Sequence, residues 1–339
     1  MNRKQSGLSL VEVMIALALS AVLVLGLAQV FGSSREANRL QSGLARVQES
    51  GRVGMEILGR DIRNGAYLGC AKWASMNNIF DRDKWEGKTG ASDSTSGQVF
   101  NLSADSAIVG YNDITATAGD LSAMGLSVGT DPGDLIEKTD ALVLQGAGPC
   151  DGGKVVSYNE SSAQFKIEDA TSCGLSQNDV VIVSNCQNAD LFAISNVPTA
   201  SGANKDTVTH ANDVNTDNKL EGSYGGSDSE ILTFYSKAYY VGMGSDGRNS
   251  LYLRQLEGAS YVSHELVEGI EDMQLLMGED SDEDGSVNRY LEPEDASLVE
   301  SRIVSIKVTF SLTSEENITL AGDQFEQDLE SVFAIRNRL

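Results

Sequence analysis

Three aspartates at alternate positions form the chain's most specific chemical pattern. In Asp280-Ser281-Asp282-Glu283-Asp284-Gly285-Ser286-Val287-Asn288, the carboxylates of Asp280, Asp282 and Asp284 take the first, third and fifth places of a loop. Oxygen ligands so spaced converge on a hard cation. A glycine at the sixth place turns the backbone, the carbonyl of Ser286 follows, and Asn288 stands at the ninth place. Calcium is the expected cofactor, in a structural role. The twelfth place is Leu291, so Glu292, Glu294 or Asp295 must supply the closing acid, and Glu292 is the nearest. The plainer alternative is a solvated acidic loop without an ion.

Glu12 is the second residue of interest, because it stands alone inside the apolar run from Leu8 to Phe31. A carboxylate in hydrocarbon is costly and calls for a partner. If the chain were cut after Gly7, the new ammonium on Leu8 would lie one helical turn from Glu12. A neighbouring subunit's ammonium could then neutralise Glu12 within a bundle of such helices, so the carboxylate would favour assembly.

Cys70, Cys150, Cys173 and Cys186 contain no C-x-x-C pair, which argues against a redox motif or a zinc knuckle. An even count behind an export signal predicts two disulfides in an oxidising compartment. The short separation favours Cys173 with Cys186, leaving Cys70 with Cys150, although four cysteines allow three pairings. His210 and His264 are the only histidines, and their spacing suggests neither a metal site nor a dyad. No phosphate-cradling glycine motif, nucleophile elbow or His–carboxylate cluster occurs, so no enzymatic activity is expected. With 25 Lys and Arg against 49 Asp and Glu, the net charge of −24 repels phosphate backbones, and no nucleic-acid partner is expected.

The elements that carry these residues follow from the periodicity. Met1 to Gly7 is polar and holds Arg3 and Lys4; the apolar run behind it is long enough to cross a bilayer as a helix, with the N-terminus cytoplasmic. The run passes into Ser33-Ser34-Arg35-Glu36 without a small-residue cleavage site, unlike an ordinary secretory signal. Leu40, Leu44, Val47, Met55, Leu58 and Ile62 continue a helical stripe. One helix from Leu8 to about Asn64 would be roughly 85 Å long. Gly43, Gly51, Gly54 and Gly59 each weaken it by up to about 1 kcal/mol against alanine, which predicts bends or melted stretches. The expected organisation is a leader at 1–7, a membrane-spanning half-helix at 8–32, an amphipathic half at 33–66 and a β-rich head at 67–339.

Within the head, strands are predicted at Ala141–Leu144, Val180–Val183, Ile231–Val241 and Ser250–Leu256, the last two joined by a turn at Gly244-Ser245-Asp246-Gly247. Val304, Ile306, Val308, Phe310 and Leu312 alternate with polar residues, the period of a half-buried antiparallel strand. Residues 90–135 and 198–229 are rich in Gly, Ser, Asp, Asn and Thr and read as long surface insertions.

Gly7-Leu8-Ser9-Leu10-Val11-Glu12-Val13-Met14 resembles the class III signal of type IV pilins and type II secretion pseudopilins. The resemblance implies cleavage by a prepilin peptidase between Gly7 and Leu8 and N-methylation of Leu8, where the family usually has Phe. Asp61 to Cys70, Leu266 to Gln274, the acidic loop with Arg289 and Tyr290, and the ending Phe333 to Arg338 resemble the PilW family of minor pilins. That family implies an α+β pilin fold, a long N-terminal helix packed on an antiparallel sheet, here with long loop insertions. It implies partners among other minor pilins, the major pilin and the inner-membrane assembly platform. It also implies residence in the inner membrane before assembly and in the extracellular pilus afterwards, with roles in assembly, adhesion or twitching motility. A minor pseudopilin J of a type II secretion system shares the signal and helix, and a pilus-borne adhesin is a further alternative.

Overall fold

In the computed structural model the N-terminal helix forms in one piece, α1 (Leu10–Asn64), unbroken through every glycine. The structure describes residues 9–89, 103–117, 119–196, 206–226, 228–258, 260–317 and 324–338. The chain divides into two compact units, Met1–Glu49 with Thr313–Gln327 and Ser50–Leu312 with Asp328–Leu339. The predicted stripe is borne out along α1. Leu40 and Leu44 are half-buried, while Val47, Met55, Leu58 and Ile62 are buried.

After α1 the chain runs through β1 (Met76–Asn78), α2 (Arg82–Thr89), β2 (Ile108–Tyr111), α3 (Gly119–Ala123) and β3 (Ala141–Gly148). Next come β4 (Val155–Asn159), β5 (Gln164–Ile167), α4 (Ala170–Cys173), β6 (Val180–Ser184), β7 (Ala189–Ala193) and β8 (Thr207–Thr209). The C-terminal part holds β9 (Glu230–Met243), β10 (Asn249–Glu257), β11 (Ser260–Glu268), β12 (Ile270–Glu279), β13 (Arg289–Leu291), β14 (Ile303–Asn317) and β15 (Gln324–Ala334).

Among the described residues these strands build three sheets. The largest has the order β1-β7-β6-β9-β10-β11, with β3 also paired to β9 and β2 to β3. A four-stranded sheet follows the order β13-β12-β14-β15, and a small one the order β4-β5-β8. The β1–β7 pair is parallel. Long β9 organises the large sheet, pairing with β6, β3 and β10 along its length. The predicted turn between β9 and β10 forms, with Gly247 at φ 83° and the Gly244 amide donating to the Arg248 carbonyl at 2.7 Å.

Three glycines of α1, Gly51, Gly54 and Gly59, serve close approach. A Cβ on Gly59 would stand 2.3 Å from the Phe333 ring, and one on Gly51 would stand 2.8 Å from Leu312. On Gly54 it would meet Ile270 and Phe310 at 3.1 Å. The bare helix face therefore lets β12, β14 and β15 pack against the backbone. Burial against these strands outweighs the helix-propensity cost, which is why no melted stretch interrupts the helix there. On β14 the alternation holds from Ile306 onward: Ile306, Val308, Phe310 and Leu312 are buried and Lys307, Thr309 and Ser311 half-buried, whereas Ser305 is buried beside Val304.

Asp140 ties the large sheet to the four-stranded one. Its amide donates to the Met273 carbonyl at 2.9 Å, and its carboxylate accepts from the amides of Leu275 at 2.7 Å and Asp113 at 2.9 Å.

Two expectations need correction. The 90–135 segment is not purely surface, since Ile108, Leu121, Met124 and Leu135 are completely buried. In the 198–229 segment, Val208, His210 and Tyr224 are also completely buried. Polar composition concealed these segments because a few apolar residues per turn or short strand suffice to anchor them. Gly- and Asp-rich stretches can carry such anchors between solvated residues. Residues 90–102 and 198–205 lie outside the described residues.

Candidate functional site

Glu12 lies in the first turn of α1, and Ser9 precedes it at the cap. The Val11 amide donates to Ser9 Oγ at 3.2 Å, and the Ser9 amide donates to Glu12 Oε2 at 3.0 Å. This is a capping box, in which two otherwise unpaired amides of a helix start are satisfied reciprocally. Sequence reasoning gave Glu12 only an assembly role, yet the S-x-x-E spacing of Ser9-Leu10-Val11-Glu12 carried the capping signal. Beyond the cap, the apolar side chains from Leu10 to Phe31 are exposed, as suits a helix whose surroundings are lipid or other helices. Gly7 and Leu8 lie outside the described residues.

The acidic loop leaves β12 and returns in β13. Glu279, the last residue of β12, is buried and receives Arg289 of β13 through Nε at 2.9 Å and Nη2 at 2.8 Å. Both nitrogens meet the same oxygen, Glu279 Oε2, and this charged pair clasps the loop at its base. Inside the loop, Asp280, Asp282 and Asp284 bring one carboxylate oxygen each within 4.8 Å of the others. Burial opposes charge on Asp280. The amides of Gly285 and Asp284 outweigh it and hold this carboxyl below the usual carboxylate range.

The donor set suits a hard cation in its first half. Its second half is less complete. The Asn288 side-chain oxygen accepts from the Ser281 amide at 2.6 Å and lies 3.4 Å from that of Asp282, so it is engaged within the loop. Glu292 is not among the three grouped carboxylates, and the Ser286 amide donates to Asp284 at 2.8 Å. Arg302 meets Glu283 at 3.1 Å, which neutralises one acid of the loop from outside. Neither arginine stood out as a loop partner in the sequence, because Arg289 reaches Glu279 through the β12–β13 register and Arg302 stands just before the start of β14, beside β12.

All four cysteines are bridged, but not in the favoured pairing. The bridges are Cys70–Cys186 and Cys150–Cys173, in place of Cys173–Cys186 and Cys70–Cys150. Proximity in sequence misled because Cys186 follows β6, at the sheet end that receives the chain leaving α1. There Ser184 Oγ donates to the Leu68 carbonyl at 2.6 Å. Cys173 ends α4, beside the start of β4.

Two family models match the chain. Residues 2–28 match the prokaryotic N-terminal methylation motif, and residues 238–332 match the type IV pilus-assembly protein W family. The chain thus carries a prepilin-type N-terminal motif and a C-terminal segment similar to the PilW family. No curated protein and no solved structure matches it significantly. The first match covers Gly7, Leu8 and Glu12, and the second runs from β9 into β15 and takes in the acidic loop. Residues 29–237, with both disulfides, lie outside the matched segments. The methylation motif and the apolar helix fit anchoring in a membrane and a place in a pilus. The signal and the family imply association with pilus components and processing by a prepilin peptidase.

Proposed function

We propose that the chain is a minor pilin, incorporated into a type IV pilus and promoting its assembly together with other minor pilins. One observation carries the reading: a methylation motif with Glu12 inside an apolar helix, and a PilW segment at 238–332, stand on the same chain. The domain plan is a removed leader at 1–7, an anchoring half-helix at 8–32, an amphipathic half at 33–66 and a head at 67–339. Processing between Gly7 and Leu8 frees an ammonium, and in the filament Glu12 exchanges the Ser9 amide for the ammonium of a neighbouring subunit. Calcium binds the loop through Asp280, Asp282 and Asp284, supported by the approach of their oxygens within 4.8 Å.

Mass spectrometry of sheared filaments from wild-type and deletion cells tests the reading. The expected result is a substoichiometric subunit beginning at methylated Leu8, with fewer filaments in the deletion strain. Intact Met1–Gly7 on filament protein, or undiminished piliation in the deletion strain, would overturn it.

A further inference from the structure

His210 follows β8 and is completely buried. The rings of Phe192 on β7, Phe165 on β5 and Tyr158 on β4 surround its imidazole, with centroids 5.2, 5.4 and 5.8 Å away. Among the described residues neither ring nitrogen has a hydrogen-bond partner. Its backbone amide donates to the Ala163 carbonyl at 3.0 Å, fixing the residue beside the β4–β5 turn. This aromatic cluster belongs to the core that packs the three-stranded sheet on β6 and β7, through Phe165, Val208, Val181, Val183 and Phe192.

A neutral imidazole can occupy such a pocket, but an imidazolium brings a charge and two N–H donors with no acceptor. Burial accordingly pushes His210 down to about 4. Its own backbone opposes this slightly, although no hydrogen bond of acceptable geometry forms. The surrounding titratable groups offer no relief. Tyr158 of β4 has its hydroxyl buried and without a partner among the described residues, and burial, Glu160 and Asp190 keep it protonated. Asp190 of β7 accepts from the Tyr224 hydroxyl, from Asn77 at 2.7 Å and from the Gly222 amide at 3.2 Å. Glu221 acts on Tyr224, while β5 and β8 contribute Phe165 and Val208 to the core.

We infer that His210 is an acid-sensitive latch, whose protonation releases the β4–β5–β8 sheet from the core it shares with β6 and β7. The Cys150–Cys173 bridge ties the chain just before β4 to α4, just after β5. Release therefore begins at the opposite end, where exposed Glu160, Ser161 and Ser162 form the β4–β5 turn beside His210. The sign follows from linkage. The opened segment binds a proton with the ordinary histidine value of 6.5 and the closed one at about 4, so closure is complete above 6.5 and weakens as the pH falls towards 4. At pH 5 the opening equilibrium rises about 30-fold over its value at pH 7.5.

Hydrogen exchange read by mass spectrometry on the full chain in detergent micelles, corrected for the intrinsic pH dependence, tests this. Between pH 7.5 and 5.0, protection at 155–167 and 207–209 is expected to fall about 30-fold, while β12 and β14 stay unchanged. In His210→Phe, or in His210→Leu if the phenylalanine variant loses β12 protection, the fall should vanish. An undiminished fall in the folded variant, or none in the wild type, would overturn the latch. NMR of His264→Gln isolates the one remaining imidazole, expected to titrate below pH 5; titration above pH 6 would overturn it independently.

Discussion

Glu12 and Asp140 each place a carboxylate where charge is unfavourable, and each meets backbone amides, so their substitutions separate hydrogen bonding from charge. Glu12→Gln keeps the reciprocal cap with Ser9, because glutamine serves the capping box as well as glutamate does. It removes the charge that would pair with a neighbour's ammonium. Glu12→Gln should therefore insert in the membrane like the wild type yet be recovered poorly from sheared filaments; normal recovery would reduce Glu12 to a helix cap. Asp140 is pushed up to about 6, first by burial and then by Asp113 and Asp272, against the two amide bonds that lower it. A raised carboxyl binds more protons folded than unfolded between its ordinary value near 4 and 6. Its contribution to stability is therefore greatest at low pH and falls as the pH rises through that window. Asp140→Asn sets an NH₂ against one amide, at a cost of about 1–3 kcal/mol. Thermal melts of the variant should be lower at pH 7 and show a flatter slope between pH 4 and 6; an unchanged slope would refute the assignment.

The long elements were legible and their contacts were not. α1 and β14 announced themselves through periods of 3.6 and 2, which depend only on neighbours in sequence. The helix glycines could be read only as weaknesses, because Phe333 lies 274 positions beyond Gly59 and nothing local marks their meeting. Paired substitutions make this testable. Gly87→Ala in α2 meets nothing within 4 Å and should stabilise by about 1 kcal/mol. Gly59→Ala gains the same propensity but forces the Phe333 ring aside, and should destabilise by about 1–3 kcal/mol. Equal stabilisation in chemical denaturation would mean that the close packing is absent. The acidic loop's three aspartates were likewise visible, whereas its Arg289 clasp depends on strand register. Disulfide partners failed for the same reason, since sheet order rather than sequence distance brings Cys186 to Cys70. Non-reducing peptide mapping should recover Cys70 with Cys186 and Cys150 with Cys173. Loss of the first, with a separation of 116, should cost more than loss of the second, with 23, because the longer loop has more entropy to regain.

At the scale of the whole molecule a net charge of −24 makes every cation a weak stabiliser, so a calcium effect has meaning only against that background. Raising sodium chloride from 10 to 150 mM shortens the Debye length from about 30 to 8 Å and should lift the melting temperature of every variant alike. Calcium in the 280–288 loop would add a different increment. Three carboxylates with their oxygens within 4.8 Å repel one another, and a divalent ion turns that repulsion into binding. The twelfth-place acid is absent and Asn288 is engaged with loop amides, so the affinity should fall in the weak range of about 10⁻⁴–10⁻³ M. At 10 mM calcium, linkage then predicts about 1.4–2.7 kcal/mol, a rise of several degrees at constant ionic strength. Magnesium should give less, because a flexible oxygen-rich loop does not impose tight octahedral geometry. Asp282→Ala removes an exposed ligand that the clasp does not use, so it should abolish the calcium increment and leave the response to sodium chloride intact. If calcium and magnesium raise the melting temperature equally, and Asp282→Ala changes neither, the loop responds to charge alone and holds no ion of its own.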